Sequence, residues 1–493
     1  MLKTTKAAIS INKSQLYSPC KRFSSTILEK GLFQFTEVPD KSYIEIKGPD
    51  SLTFLNGLVT TKLLPYFKKK NLTTISDLEK IPNKLHDDLR FDYKLLNWGL
   101  YYESGYDNDY ISRFGSYSSI LNRYGKLITD IIIYPTPSAF DIESSNKKYK
   151  YPNYLIEFDS EITDTLLKLF ANHKLGSKIK IKPLDNNSLK TWDLMIKFPK
   201  YGNSEQLNPW LSNLLIPSTM THSPEEANNF MQSIINSLFP SIANEDIKGL
   251  YVERRNEAAK ESNNEEGQLF RLLTHNIIEN ISKKINLNQF PFEFVIEKVS
   301  PMKFKKLRYS NGLLDGCNDY NIETLLPLEL NFDYFKNTIS NQKGCYLGQE
   351  LTSRTFSTGI LRKRLVSVKL INQERLKSVK IEEGKYMPIQ SNITPNTTPS
   401  STVLTPSPFT KGKETPPAAN QIRKKNRASG SLITYCDDIG LALLRTEYFK
   451  QIFETDSTSD TPPAFHIDTD EGQVQVIPYK PSWYEQWKES EMK

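Results

Sequence analysis

The chain has 493 residues, enough for two or three domains at about 150 residues each. Its 38% apolar content supports folded cores, and no apolar run reaches the ~18 residues of a membrane-crossing helix. The net charge of +7 points toward nucleic acid until its distribution is read. Five of those charges (Lys3, Lys6, Lys13, Lys21 and Arg22) lie before the first acid, Glu29, and without them the balance is +2. The case for RNA or DNA then falls away.

Residues 1–28 are basic, rich in Ser and Thr, and interspersed with Leu2, Ile9, Ile11 and Leu16. That composition predicts a mitochondrial presequence with Arg22-Phe23-Ser24-Ser25 as its processing site. A basic arm that binds RNA is the alternative. Cys20 leaves with the presequence. Cys317, Cys345 and Cys436 are too far apart, with no neighbouring His at ligand spacing, to form a metal site or a complete cluster cradle.

Tyr43-Ile44-Glu45-Ile46 alternates as a half-buried strand. Gly48-Pro49-Asp50-Ser51 then turns the chain and offers an N-cap to a helix whose apolar face is Leu52, Leu55, Leu58 and Val59. Residues 68–116, rich in Lys and Tyr, read as a surface insertion. The run 127–134 (LITDIIIY) is the most apolar in the chain and predicts a central strand carrying one carboxylate, Asp130. A strand over 154–158 follows, with Asp159 or Ser160 capping a helix whose Ile162, Leu166, Leu167 and Phe170 share a face. A strand over 177–182 comes next.

Residues 203–303 are rich in Asn and Glu and read as a second insertion, with a helical patch over 270–281. From 365 an all-β region begins. It is split by residues 391–420, whose Thr, Pro and Ser content predicts disorder, and resumes over 430–435 and 439–445. The layout is α+β: antiparallel sheets with flanking helices over 29–364, a small β-barrel over 365–480, and a tail at 481–493.

The residues that carry chemistry gather late. Lys343-Gly344-Cys345-Tyr346-Leu347-Gly348-Gln349-Glu350 sets a thiol between glycines, next to a lysine and ahead of a helix over 347–355. A cation and a helix N-terminus both activate a thiol; a small buried residue in a turn is the competing reading. Asp130 either holds a polar heterocycle inside an apolar site or faces solvent on an edge strand. Glu329 is a second buried carboxylate or a surface-loop acid. Arg354, Arg362, Lys363 and Arg364 either meet a polyanionic tail or form a solvated face. No phosphate-loop pattern accompanies them, and no aromatics interleave with them as single-stranded nucleic acid would require.

The stretch 343–350 resembles the signature of the YgfZ-type proteins, relatives of the glycine-cleavage T-protein. Residues 326–331 and 338–342 resemble the family's approach to that motif, and 352–355 and 359–364 its exit. Residues 46–60 resemble its first strand–helix unit and 121–130 its next strand. Of the family's Asp-Pro-Arg stretch only Trp192-Asp193 is kept, and residues 304–309 match the helix beyond it.

The resemblance implies a T-protein-like fold whose central opening holds tetrahydrofolate. Asp130 and Glu329 would face the pterin, Arg354 would be nearby, and Cys345 would sit on the rim. It also implies a role in the mitochondrial matrix, late in iron–sulfur cluster assembly. There the chain would work with A-type scaffold proteins to supply [4Fe–4S] clusters to aconitase-type and radical-SAM enzymes. A folate-dependent aminomethyl transferase is the second reading; the complete cysteine motif favours the first.

Overall fold

The structure, a computed structural model, describes residues 30–63, 100–102, 110–136, 153–185, 187–199, 224–242, 246–255, 267–288, 290, 292–379, 382, 384–393, 427–454 and 465–491. The expected presequence, most of the expected 68–116 insertion and residues 394–420 of the expected disordered loop lie outside them.

In chain order, β1 (Gly31–Val38) and β2 (Lys41–Lys47) lead into helix α1 (Ser51–Asn56). Asp50 stands at the N-cap of α1, yet its carboxylate accepts the Lys178 amide at 2.7 Å rather than capping the helix. A short ribbon of β3 (Leu100–Tyr102) and β4 (Tyr110–Ser112) follows, then β5 (Ser116–Leu121), β6 (Leu127–Thr136) and β7 (Asn153–Asp159). Helix α2 (Thr163–Lys174), β8 (Lys180–Pro183), β9 (Leu189–Lys197) and helix α3 (Pro224–Leu238) come next. The run closes with β10 (Ile247–Val252), β11 (Gln268–His275), β12 (Phe294–Lys298) and helix α4 (Pro301–Ser310).

These strands form two five-stranded sheets. One has the order β10-β11-β9-β1-β12, with β1 and β12 parallel and the other pairs antiparallel. The other runs β5-β6-β7-β2-β8 and is antiparallel throughout. Leu52 and Leu55 of α1 and Leu166 and Phe170 of α2 bury the second sheet's Ile44, Ile131 and Ile156. Met231 and Ile235 of α3 cover Phe33, Leu194 and Leu272 of the first sheet. Phe304 of α4 packs on its other face with Met195 and Leu269. The sheets meet where β10 passes β6: a Cβ on Gly249 would stand 2.3 Å from the Tyr134 ring, so only glycine admits this approach.

The 203–303 region, expected as an insertion, thus supplies α3 and three strands of the first sheet. Residues 270–275 of its expected helical patch lie in the strand β11. Both β10 and β11 are buried on both faces, so their apolar runs carry no alternation that would mark them as strands.

Helix α5 (Gln349–Thr358) leads into β13 (Lys363–Ile371), which opens the barrel. With β14 (Met387–Ser391), β15 (Gly430–Cys436), β16 (Ile439–Arg445), β17 (Phe465–Thr469) and β18 (Gly472–Pro478) it closes in the order β13-β16-β15-β14-β17-β18. Every pair is antiparallel. Two helices, α6 (Phe449–Phe453) and α7 (Tyr484–Glu491), complete this unit. The expected tail at 481–493 is therefore largely α7, with Tyr484 and Trp487 buried and the Trp487 ring 5.2 Å from that of Phe449. Arg364 is buried too. It pairs with both oxygens of Asp333 at 2.9 and 2.8 Å and lies over the Tyr334 ring, which removes it from the expected basic surface.

Candidate functional site

The cysteine motif is built on the segment that follows α1. Residues 57–61 run between β5 and the 338–347 chain, and hydrogen bonds tie them to both. Thr60 donates its amide to Ser119 and its hydroxyl to the Thr338 carbonyl. In return Ser340 donates to Thr60 at 3.0 Å and Leu347 to Gly57 at 3.0 Å. Lys343 completes the join: its buried ammonium donates to the carbonyls of Val59 and, at 2.8 Å, Thr61, and lies 4.7 Å from the Tyr346 ring centre. The expected activator of the thiol is thus a buried clamp, because two carbonyls and a ring already engage its charge.

Gly348 has φ +79°, and a Cβ there would stand 2.4 Å from the Asn122 carbonyl oxygen. The left-handed backbone and the close approach both require glycine. The opposing turn is shaped by Asn122, whose side-chain oxygen accepts the Tyr124 and Lys126 amides at 2.9 and 3.0 Å. Helix α5 begins at the next residue, Gln349, and its first amide donates to the Tyr346 carbonyl. Tyr346 is buried, Gly344 and Gln349 are half-buried, and Glu350 is exposed.

On this anchored loop Cys345 is exposed. The other two described cysteines are buried: burial, with Asp159 beside it, pushes the Cys317 thiol up to about 12, and burial raises that of Cys436 as well. Among the described residues, no group of three or more His, Cys, Asp and Glu side chains is placed to hold a metal ion.

A second polar constellation lies between the two sheets. Arg271 of β11 bonds Asp193 of β9 (2.9 and 3.3 Å), Asp315 (3.2 and 2.7 Å) and Glu157 of β7 (3.1 Å). Arg308 of α4 reaches Asp193 at 2.6 Å and Asp315 at 3.3 Å. Burial alone would raise the Asp315 carboxyl; Arg271 and Arg308 outweigh it and hold it well below the usual carboxylate range. For Glu157 burial wins over Arg271, and its carboxyl is raised. This hub joins both sheets to the 311–320 loop.

Asp130 sits at the hub's edge on β6, between β5 and β7 rather than on an edge strand, and is buried. Its Oδ1 accepts the Gly316 amide at 3.0 Å and the Tyr320 hydroxyl at 3.2 Å. Burial first, and Asp315 second, push it up to about 6 against Arg255. Nearby, Arg255 pairs with Glu253 at 3.0 and 2.6 Å and stacks 4.0 Å over the Tyr117 ring. Glu329 is half-buried, accepts the Leu326 amide at 3.3 Å, and is raised by burial. The charges that act on it are Lys363 and Lys126, not those around Asp130. Arg354 projects from α5 into solvent. Asp130, Glu329 and Arg354 thus stand in three different settings: buried, half-buried and exposed.

Two cavities border Tyr117 and Arg255, one reaching Tyr320 and the other Arg271 and Asp315, and each offers about 10 Å³. That is room for a single water. A cavity of about 730 Å³ lies instead between residues 317–322 and strands β14 and β15; it is lined by Cys317, Tyr320, Tyr386 and Tyr435, not by Asp130, Glu329, Arg354 or Cys345.

Sequence reasoning missed Glu157, Arg271, Arg308 and Asp315. Their available signal was a charge inside an apolar run, as in Leu269-Phe270-Arg271-Leu272-Leu273, since a charge there needs a buried partner.

An α+β body of two sheets, a closed barrel that follows it in the chain and, among the described residues, one exposed thiol on a clamped loop define the class of protein. Residues 362–486 match the family model described as "CAF17, C-terminal beta-barrel domain". The chain is 44% identical to the Saccharomyces cerevisiae protein named iron–sulfur cluster assembly factor IBA57, mitochondrial, over 93% of this chain and 90% of that one. It is 41% identical to the Candida glabrata homologue of that factor over 100% of this chain and 98% of the relative. The Kluyveromyces lactis homologue is 40% identical over 87% and 88%. A solved structure of the glycine cleavage system aminomethyltransferase T from Bartonella henselae superposes with a TM-score of 0.45 and 10% identity, covering 93% of this chain and 88% of that one. The chain belongs to the IBA57 family of mitochondrial iron–sulfur cluster assembly factors.

Proposed function

We propose that this chain is an iron–sulfur cluster assembly factor of the mitochondrial matrix. It acts late, in the maturation of [4Fe–4S] proteins such as aconitase and radical-SAM enzymes, with A-type scaffold proteins as partners and Cys345 as the acting residue. One observation carries the reading: among the described cysteines Cys345 alone is exposed, on a loop that Lys343 and Gly348 hold in place. An exposed thiol on a rigid mount suits contact with a partner's cluster. A cluster takes four cysteine-type ligands, so a single thiolate serves only a shared, passing one.

Tetrahydrofolate does not fit the two cavities described beside Tyr117 and Arg255. A drug-sized ligand needs a pocket of roughly 300 Å³ or more, against about 10 Å³ in each cavity at Tyr117 and Arg255. No step of the proposed function is routed through folate. The test of the function is depletion of the chain from its own cells. Aconitase activity should fall while a [2Fe–2S] enzyme keeps its activity. Equal loss of both would place the chain earlier in assembly, and loss of neither would remove it from the process.

A further inference from the structure

Helix α5 is unusual in what it leaves uncovered. Of its ten residues only Thr352 is buried. A ten-residue helix gains its stability mainly from burying an apolar face, because helices this short are marginal in water. Here the apolar side chains point outward: Leu351 is 36% exposed, Phe356 52%, and Ile360 just beyond the helix 68%. The patch extends onto the 122–126 turn, where Tyr124 is 60% exposed. Turn and helix are in contact, since a Cβ on Gly125 would stand 3.1 Å from the Leu351 Cβ. Cys345 lies on the loop that leads into this helix, four residues before Gln349.

The charge of this face is one-sided. Arg123, Lys126, Arg354 and Arg362 are exposed on the turn and on residues 349–362, and Glu350 is the lone acid among them. Arg123 lies over the Tyr124 ring, 4.6 Å from its centre, so a cation and an aromatic surface are presented together. Aromatic residues and arginine are what protein interfaces enrich, and grouped apolar side chains left in solvent mark contact sites.

We propose that the outer face of α5 with the 122–126 turn is a docking surface for an acidic protein. The partner would seat an apolar patch on Leu351, Phe356 and Ile360, with carboxylates against Arg123, Lys126, Arg354 and Arg362. A second copy of this chain is disfavoured, because two such faces would set cation against cation. This proposal rests on the function proposed above only in that it names the kind of partner that reaches Cys345. It assigns α5 the role of orienting that partner, with its own stability raised when the face is covered.

The test places a photo-crosslinking amino acid at Phe356 of the full chain in cells, with Tyr479 on the barrel as the control position. Adducts are identified by mass spectrometry. The expected result is a dominant adduct at Phe356 with an acidic protein, absent at Tyr479. Its yield should fall roughly tenfold when Arg123→Glu and Arg354→Glu are added, as for a charge-steered complex. Both arginines are exposed, so the charge changes leave the fold intact. No adduct at Phe356, or a yield indifferent to charge reversal, overturns the proposal. If the adduct is an acidic protein without any link to iron–sulfur clusters, the docking surface stands and the assembly reading falls. If no adduct forms while aconitase still depends on the chain, the reverse holds.

Discussion

Replacing Lys343 by methionine separates two accounts of the cysteine motif. Methionine keeps the length of the stem and removes the ammonium from the carbonyls of Val59 and Thr61 and from the Tyr346 ring. Two buried carbonyls then lose their donor, at about 1–3 kcal/mol each, and the cation–π contact, about 0.5–2 kcal/mol, is lost as well. Against this, the variant no longer carries the several-kcal/mol cost of a buried ammonium. The net expectation is a local loss of about 3 kcal/mol, or roughly a hundredfold in the opening equilibrium. Hydrogen exchange reads it directly at the Leu347 and Ser340 amides, which bond to Gly57 and Thr60 across the same join. Both should exchange roughly a hundredfold faster, while amides in the barrel strands stay as they are. Iodoacetamide labelling of Cys345, followed peptide by peptide, should slow little. Unchanged exchange with strongly slowed labelling would refute the clamp and return Lys343 to the thiol.

Three further expectations follow from the same geometry. Gly348→Ala should cost more than Gly359→Ala: both glycines have positive φ, but a Cβ at 348 meets the Asn122 oxygen at 2.4 Å whereas 359 faces open space. The αL penalty alone is about 1–2 kcal/mol, and equal losses in thermal unfolding would count against the packing described. Arg271→Met should destabilise by about 3–5 kcal/mol at neutral pH, the cost of orphaning buried charges. Because Asp193 and Asp315 titrate below their usual value, the stability they contribute is present above about pH 4 and lost as pH falls through their folded values. The gap between wild type and variant should therefore narrow in acid, and a constant gap would contradict the ion-pair account. Asp130 behaves oppositely. Its carboxyl is raised from 3.8 to about 6, so the folded state holds the proton more tightly and wild-type stability falls as pH rises between those values. That fall is about 3 kcal/mol, and Asp130→Asn should lack it in urea titrations run from pH 4 to pH 7.

Much of this fold was legible because its strands obey simple periodicities. The strand at residues 43–46, the apolar run over 127–134 and the barrel strands at 365–371, 430–435 and 439–445 stand where the pattern placed them, whereas β14, β17 and β18 were not placed. Strands β10 and β11 did not, because burial on both faces erases alternation and leaves an apolar run that a helix would share. Helix α7 was hidden by its charged residues; its place is set by Tyr484 and Trp487 packing on Phe449, a contact no local pattern announces.

At the site, the sequence displayed the motif and left its directions open. Lys343 reads as a cation near a thiol, whereas its reach to Val59 and Thr61 depends on residues more than 280 positions away in sequence. The hub has the same character. Trp192-Asp193 was visible, but Arg271 and Arg308 lie 78 and 115 positions from it, and only folding brings their charges together.

The most direct measurement of the central claim is made in cells whose only copy of the chain carries Cys345→Ser. The side chain is exposed, so the variant should fold and accumulate as the wild type does. Aconitase activity is read beside a [2Fe–2S] enzyme in the same mitochondria. The account predicts lost aconitase with an intact [2Fe–2S] control. Full aconitase activity at normal abundance of the variant would contradict it and leave Cys345 as one residue of an anchored turn.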